Sequence, residues 1–338
     1  MNVTVIAGAL QPYAWGRHGA LAEFKPGAPA GPHAELWFGT HPAAASEHVA
    51  GKATASGHAP LLMKILAAAS PLSIQVHPDG DGVRRLLTDS ATAALLSDEG
   101  IKHEMLIAVE SFDVLAGLRC VEEAAAVFEA AGPICADVVD ALRDSGHLKA
   151  IHLLLTSPRD ADLDGLCAAL PADEARIMRQ VLDAYSTDTA VLVAFMLKPR
   201  TLQPGQAMYV PAGSVHAYVN GLGIEVMAAS DNVLRLGLTP KTIAVDAALS
   251  ISNPALTPTI GEVLGEPFAP DTAPFAVMKV VDAEITIPHA DAIALAYDGS
   301  IHDPESGLTA NKGQAFLIHA AGPVLHVRGT AYVAWPRA

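Results

Sequence analysis

The sequence is poor in positive charge. It carries 21 Lys and Arg against 36 Asp and Glu in 338 residues, a formal net charge of −15. Such a field repels nucleic acid and anionic membranes, so neither is an expected partner. It also repels a phosphorylated ligand, which would need a locally basic pocket. Cysteine is scarce too. Cys120, Cys135 and Cys167 show no CxxC spacing and cannot all pair with one another, so they read as buried thiols of a reducing compartment. No basic, apolar leader opens the chain. Stretches such as Ala59–Pro71 and Ile151–Thr156 are too short or interrupted for the ~20 residues of a membrane span. A soluble cytoplasmic protein, monomeric or weakly self-associating, is the expectation. No fixed-period repeat marks a solenoid.

What is present describes a folded globular chain: 51% hydrophobic and 17% charged residues, with length for two or three domains. Pro26 to Pro32 is a loop by its Gly and Pro content. Leu61–Ala68 is apolar enough for a buried strand or a short helix. Leu72–Val76 alternates as a strand and stops at the turn His77-Pro78-Asp79-Gly80. Val83 to Leu96 has helical spacing, and Glu104–Val109 and Phe112–Leu118 read as strands. Val121 to Leu142 and Asp160 to Tyr185 are Ala-rich with apolar residues every three or four positions, which predicts a helical insert over about 120–190. Asp173 and Glu174 after Pro171 form the acidic first turn expected at a helix start. Strand signals return at Thr189–Phe195, run through Leu238, and recur as short segments between Ala276 and Val333. Short strands at such spacing point to sandwiches or barrels. Gly205–Pro211 and Gly313–Ile318 share one pattern, a turn glycine, a polar residue and a strand, which suggests two barrels.

Fourteen histidines are the main chemical signal, and most sit in loop or helix context: His18, His33, His48, His58, His147 and His302. Gln75 and His77 differ, because an i,i+2 pair in a strand shares one face. Glu104 opens the next strand, and His216 follows a Pro-Ala-Gly-Ser-Val turn. Two His, a Glu and the carbonyl of a Gln are an N/O set suited to zinc or another divalent ion. A Gln and a His lining a polar loop would look the same, and sequence distance does not bring the four together. Glu225 lies among apolar neighbours, where a carboxylate must be paired, ligated or catalytic. Arg235 and Lys241 supply the positive charge that is otherwise scarce; for Arg235 a structural salt bridge, with Asp231 for instance, is the competing reading.

These residues fall into blocks that resemble the type I mannose-6-phosphate isomerase (phosphomannose isomerase) family. The blocks are Tyr13-Ala14-Trp15-Gly16, Ala34–Pro42, Pro71–Asp79 with its Gln-x-His-Pro, Lys102-His103-Glu104-Met105, Pro211–Tyr218, and Gly223–Lys241 with its Ser-Asp-Asn-Val-Leu-Arg. They stand in the family's order over two thirds of the chain, and the C-terminal third carries no comparable motif. The resemblance implies a mainly β fold of two cupin-type (jelly-roll) barrels with a helical insert. The corresponding boundaries are 1–119 plus 190–250 for the catalytic cupin, 120–189 for the insert and 255–338 for the C-terminal barrel. It implies one zinc ion per chain on Gln75, His77, Glu104 and His216. It further implies a pocket lined by Ser73, Lys64, Lys102, Asp231 and Trp15, with Arg235, Glu225 and Lys241 around a reacting phosphorylated hexose. The expected reaction is interconversion of mannose 6-phosphate and fructose 6-phosphate. One departure is the segment Asp98–His103: the family's Lys-Pro-Glu is Lys102-His103-Glu104 here, and the pattern before it is altered. An iron-dependent cupin oxygenase and a non-catalytic sugar-binding bicupin are the alternatives on the same scaffold.

Overall fold

The computed structural model describes residues 2–49, 59–188 and 190–337; His58 and Thr189 lie outside them. One continuous strand, His216–Ala228, organises the first barrel because it serves two walls. Its first part pairs with Phe112–Leu118 and, through His216, with Gln75 of the Ile74–Val76 strand. Its second part is sandwiched between Leu61–Ala68 and Glu104–Ala108, with Glu225 opposite both Lys64 and Leu106. The change of wall occurs at Gly221, where φ is +152° and an added Cβ would stand 2.4 Å from the Phe112 ring. Only glycine fits such a bend.

Period-two alternation then sorts the side chains of the larger wall. Leu36, Met63, Ile65, Ile107, Ile224 and Val226 face a layer shared with Phe275, Leu295 and Ala334 of the second sheet. Their sequence neighbours face the barrel interior. That interior is apolar in Leu66, Leu106, Phe112 and Met208, and elsewhere carries charge. The Leu61–Ala68 segment, open to either reading from its composition, is a strand buried at every position.

The second sheet runs Phe275–Val281, Val324–Pro336, Ala292–Asp303, Gln314–Ile318, Val3–Ala7 and Glu47–His48 in spatial order. Two elements cross the boundaries drawn from sequence. Val3–Ala7 pairs with Gln314–Ile318 of the C-terminal segment. Thr259–Glu262 pairs with Gln206–Val210 in the first barrel. An edge strand is recruited by whichever ladder lies within reach, which sequence order does not reveal.

The insert is helical as expected: Val121–Glu129, Ala136–Ser145, His147–Thr156, Leu163–Ala168 and Ala172–Tyr185 pack one apolar face on the outside of the smaller wall, around Ile74, Val76 and Leu115. Details differ from the periodicity. Val121–Leu142 is interrupted at Gly132-Pro133 by a 3-10 turn. Val83–Leu96 is two short helices, because the Asp89 carboxylate accepts from the Ala91 and Thr92 amides and starts a second one. The strand expected at Thr189–Phe195 is corrected: Val191–Ala194 is a helical turn, and the strand begins at Leu197. Asp188 caps the turn at the Ala190 amide, and the turn is buried throughout, so burial overrides the β preference of its valines. Among the described residues no helix is long and apolar enough to cross a membrane.

Candidate metal centre

Strand ends bring three of the four expected ligands together. Glu104 begins its strand, His216 begins the long bent strand and His77 follows directly on Ile74–Val76. One ligand atom from each lies within 4.8 Å of the others, and all three residues are buried. His216 Nε2 is 2.6 Å from Glu104 Oε1, and His77 Nε2 is 3.2 Å from Oε2. Gln75 is the backbone partner of both His216 and Arg235, so it stands on the adjoining rungs.

The other ring nitrogens settle the tautomers. His77 Nδ1 is 2.8 Å from the Asn232 carbonyl and His216 Nδ1 is 3.1 Å from the Ser214 carbonyl. A carbonyl only accepts, so each Nδ1 carries a proton and Nε2 is the ring atom turned to the carboxylate. Burial, reinforced by Lys102, pulls the His77 pKa down to about 4, so this ring is neutral. Burial opposes ionisation of Glu104, but the Lys102 ammonium beside it leads the effects that outweigh burial and hold the carboxyl well below the usual range. The His77 Nε2 lone pair therefore faces a carboxylate in a dry site with no hydrogen-bond partner, and Glu104 Oε2 meets the Lys102 ammonium at 3.0 Å. A buried imidazole lone pair left unpartnered beside a carboxylate fits a site that takes a cation. A donor set of two imidazoles and one carboxylate suits zinc.

Charge continues along the interior face beyond the ligands. Lys64 Nζ lies 2.6 Å from Glu225 Oε2 and 3.4 Å from Glu35 Oε1, and 5.0 Å from the Trp37 ring centre. Lys102 Nζ lies 3.0 Å from Glu104 Oε2. The Tyr218 hydroxyl donates to Glu104 Oε1 at 3.2 Å. Burial would discharge Lys64, yet Glu225 and Glu35 outweigh it and raise its pKa, so the lysine stays charged. Glu225 moves the other way: burial raises its pKa, Lys64 pulls against that, and the Glu104 charge adds to the rise.

The remaining expected residues are spread around this row. Arg235 is half-buried on Leu234–Gly237, and burial lowers its pKa. Among the described residues no carboxylate pairs with it; Asp231, the partner considered from sequence, instead lies 3.1 Å from His41 Nε2. Asp231 and His41 border a cavity of about 360 Å3 with Thr40, Pro42 and Asp98. Trp15 packs beside Leu66 and Ala68, Ser73 is half-buried just before Ile74, and Lys241 is exposed on the loop after Arg235.

Several further contributors carry a signal of their own in the sequence. Glu35 is a charge within a wholly buried strand, and Tyr218 shares a face with His216 at i,i+2. Tyr13 is raised in pKa by burial and by Glu35, which places its ring near the row. The altered Asp98–His103 segment has a definite task. Asp98 accepts from Ser230 Oγ and the Asp231 amide, and Asn232 Nδ2 donates to the Asp98 and Gly100 carbonyls. This bracing fixes the Asn232 carbonyl that orients His77.

Comparison with known proteins agrees with the geometry. Residues 45–121 match the family described as phosphomannose isomerase type I, catalytic domain. The mannose-6-phosphate isomerase of Escherichia coli (strain K12) is 29% identical over 95% of this chain and 96% of its own. That of Mus musculus is 29% identical over 74% and 73%. Among solved structures, a phosphomannose isomerase variant from Salmonella typhimurium superposes with a TM-score of 0.82, at 22% identity over 99% of this chain and 100% of that one. A zinc-bound mannose 6-phosphate isomerase gives 0.79 at 22% identity with both chains fully covered. In its two β-barrels, its helical insert and its His–Glu–His centre, the chain is similar to the type I phosphomannose isomerases.

Proposed function

We propose that this protein is a zinc-dependent aldose–ketose isomerase that interconverts D-mannose 6-phosphate and D-fructose 6-phosphate through a cis-enediol. The observation that carries the reading is the convergence of two imidazole Nε2 atoms on a buried carboxylate, two rungs from a second carboxylate of raised pKa. His77, Glu104 and His216 hold the ion, with Gln75 as the fourth ligand. Zinc, when bound, supplies a Lewis acid that draws charge from a sugar oxygen.

The reaction moves a proton between C2 and C1. Glu225 is the base: a carboxylate of raised pKa holds a proton more readily than an ordinary one, as a carbon acid requires. Lys64 anchors it from one side at 2.6 Å. Arg235, a half-buried cation that no carboxylate among the described residues pairs with, meets the charge that develops on the enediol oxygens. Lys241 is left to meet the phosphate, and Lys102 keeps Glu104 ionised. Ser73, Trp15 and Asp231 shape the mouth. These are the local cations that an acidic chain needs for a phosphorylated substrate.

A coupled assay of metal-analysed protein with mannose 6-phosphate tests the reading. Turnover by the zinc-loaded form is expected, and its absence overturns the assignment. Arg235→Ala should lower turnover by about 10²–10³-fold with zinc content and unfolding midpoint unchanged. Loss of zinc or of folding would make Arg235 structural instead.

A further inference from the structure

Two histidines that the catalytic centre does not use lie in one row on the second sheet. Glu284 is the cross-strand partner of His326, His326 of His302, and His302 of Thr309. Four neighbouring strands each contribute one residue to this row. Their neighbours Ile285, Leu325, Val327, Ile301 and Ala310 point into the apolar interior, so the row faces outward. Glu284 is exposed and both histidines are half-buried. The imidazole centres are 6.3 Å apart. His302 Nδ1 lies 3.1 Å from Thr309 Oγ1, and His326 Nε2 lies 3.3 Å from Glu284 Oε1.

We propose that this row is a second metal site, where His302, His326 and Glu284 take a divalent transition-metal ion of the zinc, copper or nickel class. Directly opposed residues of an antiparallel pair have Cβ atoms about 5 Å apart. Rotation of two half-exposed rings closes that span on one ion, with metal–nitrogen bonds of about 2.0–2.1 Å. Imidazole donors select such ions over magnesium or calcium, which prefer oxygen. Thr309 occupies Nδ1 of His302 and leaves Nε2 for the ion, the arrangement found around metal-bound histidines. Glu284 brings the negative charge. Arg328, two residues beyond His326 on the same face, opposes the ion, whereas the net charge of −15 favours it. The site is open to solvent, so it fills after the buried centre and follows the metal supply. A bound ion ties the short strand Glu284–Thr286 to Val324–Pro336 and Ala292–Asp303, and thereby stabilises this corner by mass action.

The test is a calorimetric zinc titration of holoprotein whose catalytic centre is already filled. A second equivalent is expected, with a thermal midpoint that rises in excess zinc. His302→Ala and His326→Ala should each weaken that equivalent by at least about tenfold and remove the thermal shift, with isomerase turnover unchanged. Should either variant fold poorly, copper(II) added to the parent holoprotein decides the case, since two-nitrogen imidazole coordination is expected in its paramagnetic resonance spectrum. A holoprotein that binds no second equivalent, variants that retain it at parental affinity, or a copper spectrum without two nitrogens would overturn the proposal.

Discussion

Facing strands of the first barrel put Glu35, Lys64, Glu225 and Glu104 on its interior face, whereas the second barrel's interior is packed with Val5, Ala294, Phe316, Leu325 and Val333. Both use alternating antiparallel strands, and the first shares one apolar layer with the second. The second therefore contributes a backing that keeps the charged wall of the first in register. A buried ion pair stabilises little on balance, because desolvation offsets its attraction. The first barrel thus carries groups that an apolar filling would equal or better in stability. Chemistry accounts for their presence, and the apolar barrel behind them supplies the stability they do not.

That contrast can be broken from either side. The largest effect is expected for Glu104→Gln, which takes the carboxylate from the His–Glu–His centre. Metal content should fall below stoichiometry and turnover by about 10³-fold or more; full zinc occupancy would remove Glu104 from the ligand set. Next, Lys64→Met leaves Glu225 and Glu35 buried without their cation, and urea unfolding should show a loss of about 3–5 kcal/mol. Adding Glu225→Leu should recover much of that stability and none of the activity. Recovery of both would reduce the pair to a structural one.

A smaller, pH-dependent effect belongs to His77. Its folded pKa of about 4 lies below the ordinary value of 6.5, so between those values the unfolded chain binds the extra proton. Stability of metal-free protein is lost as pH falls through that window, by about 3 kcal/mol in full. His77→Gln should flatten that part of the denaturation profile, and an unchanged slope would mean that the ring is not held neutral. The smallest effect on activity is expected in the second barrel. Phe316→Ala should cost about 3–5 kcal/mol through the cavity it leaves, yet change turnover of the folded protein by less than about twofold. A large loss of turnover at preserved folding would show the two interiors to be coupled.

Much of the site was legible in the sequence because its members break local patterns. Gln75 and His77 share a face at i,i+2, and Glu225 is a charge in an apolar run; these properties belong to the chain. The elements with strong periodicity, such as Phe112–Leu118 and Ala172–Tyr185, are also where the structure places them. Val191–Ala194 departs from the expected strand because four apolar residues fit a strand and a buried helical turn equally, and only the packing around them distinguishes the two. Lys64 and Glu35 were harder to read. Their partnership depends on the offset between Leu61–Ala68 and its neighbours on either side, and one residue of slip would turn Lys64 to the opposite face.

The sequence by itself determined the scarcity of cations, the alternating strands, the helical insert and the donor types of the metal centre, since all follow from residue identity and spacing. Tertiary structure alone decided that Glu104, His77 and His216 meet, because they come from three strands whose register is a long-range property. It decided as well that Arg235 has no carboxylate partner among the described residues and that Asp98 braces the carbonyl that orients His77. It also assigned Val3–Ala7 to the far sheet, since strand pairing is governed by proximity in the folded chain and not by order along it.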